Sequence, residues 1–238
     1  MSEEKATVDV VIPVYNEEHV LAQSINTLNQ FLEENLAQEW QIVIADNAST
    51  DKTWQVAQAL SQEHPNVAAI HLDEKGRGRA LRKAWLESAA DVVSYMDVDL
   101  STELAAFPRL IQAIEEGYDI AIGSRLLQGS SVTRSFKREL TSRSYNFIIK
   151  AMFRTKFSDA QCGFKALSSK VAQELVPLIQ DQEWFFDTEL LILAAKKGYR
   201  VGEIPVAWLE DPDTRVAITK TALDDLKGLL RMRFHPGS

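Results

Sequence analysis

Val92-Val93-Ser94-Tyr95-Met96-Asp97-Val98-Asp99 (residues 92–99) reads as a short buried strand that runs straight into two carboxylates. Residues i and i+2 of an extended segment point the same way, so Asp97 and Asp99 are expected to present oxygens to one hard divalent cation. An acidic strand end and a helix cap are the plain alternatives, and the pair alone does not choose between them. The rest of the chain repeats the pattern. Short β-branched runs at 8–14, 41–45, 67–72, 119–122 and 200–206 alternate with segments of helical spacing. Such alternation implies parallel pairing, which predicts an α/β fold with a doubly wound, mostly parallel sheet and helices on both faces.

The first helix is set by one stripe of Val20, Leu21, Ser24, Ile25, Leu28, Phe31 and Leu32. A second begins near the cap oxygens of Ser49-Thr50-Asp51, a third covers about 78–89, and a fourth covers 103–116 and is closed by Gly117. With 238 residues, 45% hydrophobic and 25% charged, the chain is expected to form one domain over 1–238. A net charge of −8 argues against nucleic-acid binding, which needs a basic surface. The lone Cys162 excludes an intramolecular disulfide or a thiolate zinc cluster and is expected to be a packing residue. The polar start at Met1 leads to the expectation of no leader, and no apolar run approaches the roughly 20 residues that span a bilayer. A cytoplasmic chain, peripheral on the inner face of a membrane if it meets one, is the expectation.

Ligands of such sheets lie beyond the C-terminal strand ends, and polar clusters follow four strands in turn. Pro13-Val14-Tyr15-Asn16-Glu17 follows the first, Asp46 to Asp51 the second, Asp73 to Arg79 the third, and Asp97-Val98-Asp99 the fourth. Lys75-Gly76-Arg77-Gly78-Arg79 sets two glycines among three cations, which suits a phosphate, although a solvated basic turn has the same composition. Asp46 is placed to accept from the imide edge of a base, and Tyr15 either stacks on that base or belongs to a turn.

Taken together, the series 11–17, 44–51, 75–82 and 97–99 resembles the family 2 inverting glycosyltransferases of the GT-A, Rossmann-like fold. Gly123-Ser124-Arg125, Asp159 to Lys165, Trp184 to Leu191 and Gly198 to Val206 are similar to the polyprenyl-phosphate hexose synthases, especially the dolichyl-phosphate β-glucosyltransferase type, with the mannose synthases close by. The resemblance implies a nucleotide-sugar donor (UDP-glucose or GDP-mannose), a polyprenyl phosphate acceptor, and a Mg or Mn ion. A non-lipid acceptor is the further alternative. It assigns the nucleoside to Pro13, Tyr15, Glu17 and Asp46, and the diphosphate side to Lys75, Arg77, Asp97 and Val98. Asp97 and Asp99 would hold the metal, with Ser101 beside them where many relatives carry a longer amide. Arg125 and Arg215 are candidates for gripping phosphate through paired hydrogen bonds, a surface ion pair being the alternative. Asp187, expected one turn into a helix, matches the position of the family's general base. An acceptor phosphate is already largely ionised near neutrality, so Asp187 is expected to orient the acceptor or bond neighbouring cations, with Asp159 as the second candidate.

Residues 134–157 carry seven cations, Arg134, Lys137, Arg138, Arg143, Lys150, Arg154 and Lys156, against one acid, Glu139, a local +6 in an acidic chain. Phe136, Leu140, Phe147 and Ala151 form an adjacent stripe, joined by Ile148, Ile149 and Met152. With the resemblance, this segment reads as a basic amphipathic, membrane-facing platform; without it, a helix packed on the sheet serves as well. A second amphipathic helix is expected over about 217–234. Relatives continue from there into transmembrane helices, which leaves a separate membrane-protein partner open.

Overall fold

The computed structural model describes residues 5–133, 136–209 and 218–234, with side chains at 136–138 and 218–220 left aside. Seven strands form one sheet: β1 (Thr7–Val14), β2 (Glu39–Asn47), β3 (Val67–Leu72), β4 (Val92–Met96), β5 (Ile120–Ser124), β7 (Phe164–Ser168) and β8 (Val201–Pro205). Their order is β3-β2-β1-β4-β7-β5-β8. β1 pairs in parallel with β2 and β4, β2 with β3, and β5 with β8, whereas β7 is antiparallel to both β4 and β5. The expected doubly wound, mostly parallel sheet is therefore present, with one reversed strand in its middle. Two further strands, β6 (Ser131–Thr133) and β9 (Ala207–Leu209), pair in a small parallel ribbon.

β7 escaped the strand pattern for a physical reason. It is five residues long with Lys165 second, and a cation in a central strand breaks the apolar signature. Lys165 is nonetheless fully buried, its ammonium held by the Cys162 carbonyl at 2.5 Å, the Tyr95 hydroxyl at 3.3 Å and Asp187 at 3.0 Å.

Helices cover both faces. α1 (Leu21–Asn35), α2 (Thr53–Glu63) and α4 (Phe107–Glu115) bury Leu21, Ile25, Leu60, Phe107 and Leu110 against Val10 and Ile12. The fourth helix is shorter than 103–116 because a 3-10 turn at Leu104–Ala106 precedes it and Pro108 sets its first turn. The opposite face carries α3 (Arg77–Glu87), α5 (Phe136–Phe153), α6 (Ser169–Leu175), α7 (Phe186–Lys197) and α8 (Ile218–Phe234). There Trp85, Tyr95, Phe185 and Phe186 fill the core, with Trp85 against Phe186 at 5.9 Å between ring centroids. Cys162 is buried among side chains, as expected, and its thiol is pushed up to about 12 chiefly by burial.

On α5 the expected stripe divides. Leu140, Phe147 and Ala151 face outward with Arg143 and Lys150, while Ile149 is buried and Met152 half-buried. Arg154 falls beyond the helix end, in the left-handed region at φ 56°. Residues 134 and 135 lie outside the described residues, as do the side chains of Phe136, Lys137 and Arg138. No described helix is long and apolar enough to cross a membrane.

Gly78 fixes how α3 meets α7. A Cβ there would lie 2.7 Å from Cβ of Phe186, which cannot rotate away. Alanine within a helix ordinarily gains about 1 kcal/mol over glycine. Gly78→Ala should instead lose roughly 1–3 kcal/mol through overpacking, read as a lower urea midpoint at unchanged slope.

Candidate functional site

The pairing of the strands puts the C-terminal ends of β1 to β5 and β8 at one edge, and the reversed β7 brings its N-terminal end to the same place. Every sequence-predicted site residue within the described residues lies on a segment adjoining that edge. Arg215 lies outside the described residues.

The loops after β1 and β2 are tied together. Ser49 Oγ accepts from the Asn16 N–H at 3.0 Å, Thr53 Oγ1 from the Glu17 N–H at 2.7 Å, and Asn16 Oδ1 from the Thr50 N–H at 2.8 Å. Asn16 adopts φ 56°, which its short polar side chain tolerates. Pro13 and Tyr15 are half-buried beside this junction, and the exposed Lys75 places its ammonium 3.6 Å above the Tyr15 ring. Asp46, at the end of β2, is fully buried; His71 Nδ1 bonds its Oδ2 at 2.6 Å, and its Oδ1 has no partner among the described residues.

The loop into α3 is anchored by the Gly76 N–H on Asn47 Oδ1 at 2.6 Å. It delivers Arg77, which is buried and joins two acids, Asp187 at 2.7 Å and Asp97 at 2.8 Å. The guanidinium lies 4.9 Å from the ring centroids of both Tyr95 and Trp184. Asp187, in the first turn of α7, also accepts from Tyr95 Oη at 2.5 Å and pairs with Lys165 at 3.0 Å. Burial opposes its ionisation, but the Lys165 and Arg77 charges and the Tyr95 hydrogen bond outweigh it and hold the carboxylate below the usual range. Sequence reasoning found Arg77 and Asp187 but not Tyr95, Lys165, Trp184 or His71, which lie within strands or at their ends, or in a loop, where packing is the default reading.

β4 stops at Met96, and Asp97-Val98-Asp99 is a turn rather than an extended segment. Its closing bond runs from the Leu100 N–H to the Asp97 carbonyl at 3.1 Å, with Leu100 at φ 50°. The two carboxylates therefore diverge in setting. Asp97 is half-buried, paired with Arg77 and packed on Gly163, where any Cβ would overlap its carboxylate. Asp99 is exposed and accepts from the Ser101 N–H at 2.9 Å, while Val98 is buried and joins the core cluster that also holds residues of α1 and α4. Ser101 is in turn pinned to β9 by the Leu209 N–H at 3.0 Å.

Among the described residues no three or more acid, histidine or cysteine side chains gather as a metal centre. A Mg or Mn site nonetheless fits Asp97 and Asp99, because such ions are commonly held by one or two carboxylates while substrate phosphates and water complete the shell. Arg125 and Asp159 form a second lock, with Asp159 fully buried and accepting from Arg125 Nε at 2.8 Å, Nη2 at 3.0 Å and the Arg125 N–H at 3.1 Å. The paired hydrogen bonds expected for a phosphate are thus made to Asp159 in this structure. Burial resists the Asp159 charge, yet Arg125 holds its carboxyl below the ordinary range. The ring of Trp208 in β9 lies 5.4 Å from the Arg125 guanidinium.

Comparison with known proteins bears on this geometry. The Glycosyl transferase family 2 profile matches residues 9–176. Glycosyltransferase AglD of Haloferax volcanii is 34% identical over 230 residues, 94% of this chain, which spans only 36% of that protein's length. The dolichyl-phosphate beta-glucosyltransferase of Dictyostelium discoideum is 28% identical over 94% of this chain and 73% of its own. In fold, the chain is similar to glucosyl-3-phosphoglycerate synthase of Mycobacterium tuberculosis, solved with uridine diphosphate, at a TM-score of 0.74 and 18% identity over 98% of this chain and 82% of that one. The architecture is of the GT-A type. Since the family match runs from the first strand to the end of α6 and so takes in the carboxylate turn, Arg77, Arg125 and Asp159, the chain belongs to glycosyl transferase family 2.

Proposed function

We infer that this enzyme moves a hexose, glucose before mannose, from a nucleotide diphosphate sugar to the phosphate of a polyprenyl lipid, with inversion at the anomeric carbon. The observation that carries the acceptor class is the saturation of Asp187. Three donors, Tyr95, Lys165 and Arg77, converge on its two oxygens. A carboxylate so held, and lowered in pKa, is a poor proton acceptor. An alcohol nucleophile would need a base there, whereas a phosphate with a second pKa near 6 arrives largely ionised. Alignment and charge neutralisation are then the main demands on the protein.

In this reading Pro13, Tyr15, Glu17 and Asp46 take the nucleoside, and Lys75 leaves the Tyr15 ring face for the diphosphate. Asp97 and Asp99, with Ser101 alongside, hold a divalent cation, whose contribution is to neutralise charge on the leaving diphosphate. Arg77 and Lys165 position Asp187, and Arg125, fixed by Asp159, is assigned to the acceptor phosphate, as is Arg215, which lies outside the described residues. The membrane surface is read from α5 and α8. Leu223, Leu226, Leu230 and Phe234 recur along α8 as an exposed apolar stripe, and α5 exposes Phe147 at 72% together with Leu140, Arg143 and Lys150. Such faces suit burial in a lipid headgroup layer with anionic lipid near the cations.

The direct test is a matrix of UDP-glucose and GDP-mannose against polyprenyl phosphate in vesicles and a water-soluble acceptor, with and without EDTA. Transfer to the lipid phosphate, abolished by EDTA and restored by excess Mg or Mn, is expected. EDTA-resistant transfer would remove the cation, and equal transfer to the soluble acceptor would remove the membrane. Asp99→Ala should cost about 100-fold or more in kcat with an unchanged melting curve, because the side chain is exposed; wild-type turnover would take Asp99 out of the site. Asp187→Asn leaves the buried Lys165 without its acid and Arg77 with Asp97 alone, and should lose roughly 3–5 kcal/mol at pH 7. A lowered folded pKa confers stability above the unfolded value, near 4, that is lost as pH falls through the folded one. The gap between Asp187→Asn and wild type in urea should therefore narrow below about pH 4. The acid limb of its rate profile should persist, and disappearance of that limb would make Asp187 a base after all.

A further inference from the structure

Four consecutive residues ahead of β7, Asp159-Ala160-Gln161-Cys162, are each tied to a different part of the molecule. Asp159 holds Arg125, and the Cys162 carbonyl accepts from Lys165 Nζ at 2.5 Å, so the segment touches both the Arg125 pair and the Asp187 network. Between these ties, the Ala160 N–H donates to Asn146 Oδ1 of α5 at 2.9 Å, and Gln161 Nε2 donates to Asp225 Oδ2 of α8 at 2.8 Å. Both helices turn apolar residues outward, and the next residue on each is exposed: Phe147 after Asn146 and Leu226 after Asp225. Gln161 thus links α8 to the buried network.

Stability alone does not call for Asp225. It is 3% exposed, and its Oδ1 is enclosed with no partner among the described residues, a costly arrangement. Burial first, and then the Asp181 charge, push its carboxyl up to about 7 against the Gln161 hydrogen bond. α8 has other fastenings, since Leu229 and Met232 are buried and Arg231 grips Glu189 through hydrogen bonds of 3.0 and 2.7 Å. The carboxylate is accounted for by what Oδ2 holds. Gln161 donates its own N–H to Asp159 Oδ1 at 3.3 Å, the same oxygen that accepts from Arg125 Nη2 at 3.0 Å. A shift of Gln161 therefore moves the acid that aims the guanidinium.

We propose that Asp225 is a positioning residue for the acceptor side of the reaction: it holds Gln161, and through it the Asp159–Arg125 pair, so that the seat of α8 sets the grip on the acceptor phosphate; this rests on the acceptor reading given above. A guanidinium has five N–H donors, and Asp159 takes the Nε and Nη2 side of Arg125. A phosphate is met by the other donors only while the planar fork keeps its orientation. The nucleoside is assigned to Pro13, Tyr15, Glu17 and Asp46, on β1, β2 and the loop after β1, whereas the Gln161 hydrogen bonds run to α8 and to Asp159. Loss of the Asp225 bond accordingly weakens the acceptor and spares the donor.

Steady-state kinetics with polyprenyl phosphate in vesicles, and with whichever of UDP-glucose and GDP-mannose serves as donor, test this on wild type, Asp225→Ala, Gln161→Leu, their double variant and Asp225→Asn. Asp225→Ala should raise the KM for polyprenyl phosphate about tenfold while the donor KM stays within about twofold, at a melting temperature near that of wild type. Gln161→Leu should do the same, and the double variant should be no worse than either single one, because each removes the same bond. Asp225→Asn, whose amide oxygen can still accept from Gln161 Nε2, should keep the acceptor KM within about threefold of wild type. An unchanged acceptor KM in folded Asp225→Ala, or donor and acceptor KM rising together, would assign Asp225 a purely structural role and overturn the proposal. Should Asp225→Ala not fold, Gln161→Leu, at a half-buried loop position, gives the same reading by itself, and an unchanged acceptor KM there overturns the proposal equally. Wild type that transfers to no lipid phosphate from either donor would instead refute the acceptor class itself, and the proposal with it.

Discussion

The arrangement of this edge depends on a carboxylate, that of Asp187, kept ionised inside the protein. Burying a lone charge is prohibitive, and a buried pair is tolerable only with good geometry and further hydrogen bonds. Asp187 meets those terms by drawing donors from three elements that are distant in sequence: Tyr95 from β4, Lys165 from β7 and Arg77 from α3. Each donor is thereby placed. Arg77 is drawn between two aromatic rings and on to Asp97, so the first acid of the carboxylate turn is positioned from the far side of the sheet edge.

The same network explains the reversed strand. A parallel β7 would carry its second residue, Lys165, to the opposite edge, away from Asp187. Antiparallel pairing to β4 sets Lys165 opposite Tyr95, and the two side chains meet the carboxylate together. Gly163, immediately before β7, then lies under the Asp97 carboxylate, where only a residue without Cβ fits. Strand direction, a buried cation and a glycine are three consequences of one electrostatic demand.

Much of this was legible in the sequence because it is written in local patterns. The alternation of β-branched runs with amphipathic stripes gave the sheet and its ligand edge, and the four polar loops gave Asp46, Arg77, Asp97 and Asp99. What failed was non-local. Lys165 looks like a surface residue until its partner, 22 positions later in the chain, is in place. His71 looks like the end of an alternating strand until β2 sets Asp46 beside it. The carboxylate turn failed differently: i and i+2 share a side only while the strand lasts, and β4 ends at Met96, before either acid. Arg125 was found as a cation, but that its fork would close on Asp159 depends on a contact across 34 residues.

Charge balance links the buried network to the exposed surfaces. Arg77, Lys165 and Arg125 are the cations of the two locks, and Asp97, Asp187 and Asp159 are the acids. Within the two locks positive and negative charges cancel, three against three. Under the proposed function, a diphosphate donor and a phosphate acceptor would bring several negative charges to this edge, where their mutual repulsion has to be offset. Arg125 cannot leave its lock without stranding the buried Asp159, and Arg77 and Lys165 are both held by Asp187. Compensation beyond the locks would then come from a divalent ion on the turn, from the exposed ammonium of Lys75 and from exposed cations such as Lys150 on α5. Under the proposed function, an acidic chain carries the basic segment at 134–157 because the charges of the two locks are already committed to one another.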